Sequence, residues 1–110
     1  MVDLKKRLAN CSGYVIDLRL HVLHFRLASE NINEEVVMED LEKLKKLDFS
    51  KLSHYTPESE NKFKLYFRQS KFIYYKYVID ISDSERKIKV VTVHRINQKL
   101  QRKFEEYANR

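Results

Sequence analysis

Residues 62–69 (KFKLYFRQ), 70–81 (SKFIYYKYVIDI) and 86–96 (RKIKVVTVHRI) decide the fold of this chain. Each block is dense in β-branched and aromatic residues, and only short polar breaks separate them, so they are read as three strands of a meander. Phe63, Leu65 and Phe67 alternate with Lys64, Tyr66 and Arg68. Gln69-Ser70-Lys71 makes the hairpin turn into a strand over Phe72 to Ile81, and Ser82 to Arg86 turns the chain into Lys87 to Ile96. On the second strand Tyr75 and Tyr77 fall with Ile73, Ile79 and Ile81, whereas Tyr74 falls with Lys76, and that side is the better polar face.

Helices are expected before the meander. Val2 to Asn10 has Leu4 and Leu8 on one face with Lys5, Lys6 and Arg7 facing water, and Ser12-Gly13 breaks it. Tyr14 to Ser29 is ambiguous: Ile16, Leu20, Leu23 and Leu27 have helical spacing, while Ile16, Leu18, Leu20 and Val22 alternate as a strand does. The three- and four-residue steps through Leu27 favour a helix from about Leu18. Asn33 before Glu34 and Glu35 predicts an N-cap with acids at the positive end of the helix dipole. That helix should run to about Lys46 on a face of Val36, Val37, Leu41, Leu44 and Leu47, with Glu39, Glu42, Lys43 and Lys45 solvated. Asp48 to Asn61 is the least regular region and reads as a connection and rim. After Asn97, Leu100, Phe104 and Tyr107 give a last helix. The expected class is α+β: one domain, residues 1–110, with helices in 1–47, a three- or four-stranded mainly antiparallel sheet whose meander spans 62–96, and a C-terminal helix over 97–110.

The 110 residues suffice for one core and are too few for two. Lys and Arg number 22 against 16 Asp and Glu, a net charge of +6, which suits a polyanion, an acidic protein or an anionic surface. No apolar run approaches the roughly 20 residues that span a bilayer, and the N-terminus lacks the apolar core of a secretory signal, so no membrane partner and a cytoplasmic location are expected. Cys11, the one cysteine, cannot form an intramolecular disulfide and reads as a packing residue. His21 and His24 share a helix side, but no third ligand has a recognisable spacing, so neither metal nor cofactor is expected.

The chemistry-bearing residues are the histidines, cations and tyrosines. Histidine titrates near neutrality and serves as general acid or base. Arg68, Lys76, and Thr92 with His94 can converge on one phosphate: the cations would stabilise pentavalent charge, and His94 or a tyrosine would move protons. His21, His24, His94, Lys76 and Arg68 are the catalytic candidates. Arg26, Lys64, Tyr66, Tyr74, Thr92 and Arg95 are the nucleic-acid-binding candidates. The bland alternative is a solvated basic face with tyrosines in cross-strand packing.

With HVLHFRLASENINEEVVMEDLEKL at residues 21–44, which holds a His-x-x-x-x-Arg pattern, and KIKVVTVHRI at 87–96, the chain resembles the RelE/ParE-like toxins over residues 18 to 96. The resemblance implies a sheet packed against helices, as in the barnase/EndoU/colicin/RelE group of metal-independent ribonucleases, with RNA cut through 2′-hydroxyl attack. It also implies a protein antitoxin over the basic face. By position, His21 or His24 with Arg26 match the helix pattern, Arg68 and Lys76 the strand cations, and Thr92 with His94 the last-strand polar positions. Where family members commonly show Arg-Gly-Ile, this chain has Glu30-Asn31-Ile32, a departure that admits a binding-only descendant. The sequence therefore points to an RNA-directed basic protein, an endoribonuclease or a descendant of one. The alternatives are a non-catalytic nucleic-acid module and an interaction partner of an acidic protein; a homodimer is open.

Overall fold

Alternation along the strands sorts the side chains into two faces, and helices bury one of them. The computed structural model describes residues 3–18 and 27–97. Within them the elements run α1 (Leu4–Ala9), β1 (Val15–Leu18), a helical turn at 27–30, α2 (Glu34–Lys45), β2 (Leu52–Pro57), β3 (Lys62–Arg68), β4 (Ile73–Ser82) and β5 (Lys87–Asn97). The five strands form one mixed sheet in the order β1-β5-β4-β3-β2. Strand β1 runs parallel to β5, and the other pairs are antiparallel. The chain is α+β. No helix among the described residues is long and apolar enough to cross a membrane.

The first face carries Phe63, Leu65 and Phe67 of β3, Tyr75, Tyr77, Ile79 and Ile81 of β4, and Ile88, Val90 and Val93 of β5, all buried. Leu4 and Leu8 of α1 and Val37, Leu41 and Leu44 of α2 belong to the same cluster. At roughly 25 cal/mol per Å² of apolar area removed from water, this single cluster is the main stabilising contribution.

The helix signals hold where they are local. Asn33 caps α2, its Oδ1 accepting from the backbone N–H groups of Glu35 at 2.9 Å and Val36 at 3.4 Å, with Glu34 and Glu35 in the first turn. Asp3 caps α1 in the same way. Gly13, at φ +81, makes the turn after α1 in a conformation that favours glycine.

Several expectations are corrected. The sheet has five strands where three or four were expected, and its β1 edge is parallel while the other three pairings are antiparallel. Residues 15–18, ambiguous between strand and helix in the sequence, are a strand, and Leu18, where the helix was expected to begin, is its last residue: Ile16 pairs with Ile88 and Leu18 with Val90, a non-local pairing that decides between the two patterns. Residues 52–57, expected within a connecting rim, form β2 against β3. Leu47, expected on the buried face of α2, is 44% exposed and left-handed, because it lies just past the helix end where the chain reverses. Arg7 is not simply solvated but pairs with Asp83 at 2.9 Å. Residues 19–26 of the helix expected from about Leu18 through Leu27, and residues 98–110 of the C-terminal helix expected over 97–110, lie outside the described residues.

A bulge fixes which residues of β5 share a face. Val78 pairs with Thr92 and Ile79 with Val90, so Val91 has no partner of its own. Before the bulge the even-numbered Ile88 and Val90 face the core; after it the odd-numbered Val93 does. Were alternation to continue unbroken through Val91, Thr92 and His94 would point into the helix-covered core.

Candidate functional site: a polar row across the second sheet face

The face turned away from the helices is laid out in rows by the strand register. One row crosses four strands: His54 of β2 opposes Tyr66 of β3, Tyr66 opposes Lys76 of β4, and Lys76 opposes His94 of β5. Opposed residues of antiparallel strands have Cβ atoms about 4.5 to 5.5 Å apart, so the four side chains are immediate neighbours. Flanking rows contain Lys64, Val78 and Thr92 on one side and Arg68, Tyr74 and Ile96 on the other.

The row ends in a carboxylate. His94 Nδ1 lies 3.2 Å from Glu30 Oε1, and both side chains are about 30% exposed. A carboxylate offers only acceptors, so the proton in this contact sits on Nδ1, and in the neutral ring the lone pair falls to Nε2. The second oxygen of Glu30 and the Oγ1 of Thr92 are buried without a hydrogen-bond partner among the described residues. At the other end the rings of His54 and Tyr66 stack with centroids 4.2 Å apart and planes 12° from parallel.

Electrostatics separate the cations. Burial lowers the Lys76 ammonium below the usual lysine range, and the charge of Lys64 adds to the effect; desolvation disfavours the charged form of an amine. Lys64 is paired with Glu58 at 3.1 Å, whereas no carboxylate among the described residues pairs with Lys76. Arg68 is exposed, its Nε donating to the carbonyl of Ser70 at 3.4 Å.

Compared with known proteins, the chain matches no family model, no curated protein and no solved structure. The site therefore rests on its own residues.

Among the residues expected to act together, the structure brings Lys76, His94, Thr92, Arg68 and Lys64 onto one face. It packs Tyr66 and Tyr74 into a buried cluster with Ile96, so both rings serve the face as packing. Arg95 opposes Tyr75 on the helix side of the sheet. There it lines a cleft of about 330 Å³ with Glu30, Ile73 and Asn97, and alternation after the bulge excludes it from the Lys76 row. His21, His24 and Arg26 lie outside the described residues. Sequence reading missed two members. Glu30 meets His94 across 64 residues, which no local pattern reveals, and His54 lay in a segment taken for a connection. Among the described residues, no three His, Cys, Asp or Glu side chains gather as a metal site.

Proposed function

We propose that the Glu30, His94 and Lys76 end of this row acts on RNA phosphodiesters, as a metal-independent endoribonuclease of the RelE-like kind or a descendant that retains RNA binding. The observation that carries the reading is the Glu30 to His94 contact beside a lysine whose charge is partly desolvated. The carboxylate orients the imidazole and stabilises the imidazolium that forms when Nε2 takes a proton.

In the proposed reaction His94 Nε2 removes the ribose 2′-hydroxyl proton as O2′ attacks phosphorus. The P–O5′ bond breaks, and the leaving oxygen takes a proton from the Lys76 ammonium, whose lowered pKa makes it the better donor. The products are a 2′,3′-cyclic phosphate and a 5′-hydroxyl. Arg68, in the adjacent row, would neutralise the phosphate. DNA, which lacks the nucleophile, is bound but not cut.

The test is incubation of the purified chain with single-stranded RNA in EDTA. The expected result is cyclic-phosphate ends, with the rate reduced by about 10² to 10⁴ in His94→Ala and less in Glu30→Gln. No cleavage by protein whose circular dichroism shows it folded removes the nuclease claim. Salt-sensitive retention of RNA without products would assign the face to binding alone, and neither result would leave an acidic protein as the partner.

A further inference from the structure

The two edges of the sheet differ. Strand β2 is interrupted by a bulge between Leu52 and His54 and ends in Pro57, both devices that discourage pairing with another chain. Strand β1 has neither a bulge nor a proline, and among the described residues nothing pairs with its outer side. Exposed apolar side chains gather beside it: Val15 at 60% and Met38 of α2 at 48% are two of the four large hydrophobic residues exposed among those described. With Ile16 and Leu41 they line a groove of about 190 Å³ between β1 and α2, rimmed by Glu42 and Lys45.

We propose that this edge and groove are where two copies of the chain pair across a two-fold axis, β1 against β1, to make one continuous ten-stranded sheet. An axis perpendicular to the sheet keeps both helix layers on the same side and runs the two β1 strands antiparallel. Opposed residues then share a face. Centring the pair on Ile16 sets Ile16 against its copy and Val15 against Asp17, whereas centring on Asp17 would oppose two carboxylates, which is destabilising. The favoured register is the one on Ile16.

The rim selects a second copy over another occupant. It offers one acid and one base, three residues apart on α2, and both are exposed. Among the described residues the one ion pair of Glu42 is the surface contact with Lys46 at 3.8 Å, with the carboxylate side chain 57% exposed, an interaction worth little in water. A two-fold axis reverses the order of the charges, so Glu42 and Lys45 of one copy meet Lys45 and Glu42 of the other. A uniformly acidic or basic partner would match only half of the rim. The surface is isologous in its charges as well as its backbone edge.

Sedimentation velocity of the full chain over a concentration series tests this. The expected particle has twice the 13.4 kDa chain mass. Val15→Glu, which faces Asp17 of the second copy, and Met38→Glu should each raise the dissociation constant about tenfold or more. Both sites are exposed, so circular dichroism should be unchanged. Glu42→Lys should weaken the pair, and Glu42→Lys with Lys45→Glu should restore it. A monomer at every concentration, a dimer indifferent to Val15→Glu and Met38→Glu, or a double charge exchange that fails to restore association would overturn the proposal.

Discussion

Tyr77 donates its hydroxyl to Asp40 Oδ2 at 2.6 Å, tying the middle of the sheet to a carboxylate that α2 carries fully buried. Gln69 Nε2 donates to the same oxygen at 2.5 Å, and Lys51 Nζ meets Oδ1 at 2.6 Å while also donating to Gln69 Oε1. Every oxygen of the carboxylate is thus satisfied, which is the condition under which a charge can be held inside a core. Removing it strands a lysine, an amide and a hydroxyl. Asp40→Ala is expected to lose about 3 to 5 kcal/mol, read as a lower urea midpoint at unchanged slope. Asp40→Leu with Lys51→Met, Gln69→Leu and Tyr77→Phe should recover much of that loss, because the apolar replacement leaves none of the four polar groups unpaired.

The same contact sets an alkaline limit. Burial first, then the charge of Asp40 and the hydrogen bond to it, raise the Tyr77 hydroxyl above its ordinary value of 10.0. The folded chain therefore keeps this proton where the unfolded chain releases it. Its contribution is complete below the unfolded value and declines as pH rises above it. Urea midpoints measured from neutral pH upward should fall above pH 10, and Tyr77→Phe should flatten that fall while lowering stability at neutral pH by about 1.5 to 3 kcal/mol. Equal slopes in both proteins would mean that another group controls alkaline unfolding.

What was legible in the sequence was local. The β3 to β5 meander, the Asn33 cap and the division of β4 into a Tyr75, Tyr77 side and a Tyr74, Lys76 side follow from propensity and alternation, and each lies within a few residues of its own signal. Strand β1 was ambiguous because its four residues acquire strand character only by pairing with residues about 70 positions away. Strand β2 was hidden by Ser53 and Pro57, with Ser50 and Ser59 beside them, which read as loop chemistry although the strand is an edge that tolerates them. The bulge at Val91 has no local signature, yet it decides that Thr92 and His94 share a face with Lys76. Glu30 and Asp40 look like solvated helix acids, and only tertiary contact distinguishes them.

Leu47 holds a backbone conformation that L-residues avoid. It follows the C-cap of α2 at φ +61. The N–H of Asp48 donates to the Lys43 carbonyl at 2.8 Å, the six-to-one closure that favours glycine at this position. Its side chain is 44% exposed, so little burial is lost on removing it. Leu47→Gly should raise stability by roughly 0.5 to 1 kcal/mol, seen as a higher thermal midpoint. A loss of stability would show that the Leu47 side chain contributes more by packing than its backbone costs.

Lys76 tests whether the polar row meets a phosphate. It stands between Tyr66 and His94 with burial already lowering its affinity for a proton. A bound phosphate would offset that desolvation with a charge-assisted contact. In Lys76→Ala, RNA affinity should drop across unrelated sequences, and the slope of log K against log salt should become shallower by about 0.7 for single strands, the loss of one phosphate contact. Lys87→Ala, on the same face but beside Ser82 near the opposite end of β5, should change affinity far less. If both substitutions alter the slope equally, the chain is attracted by its net charge alone. If neither does, RNA lies elsewhere.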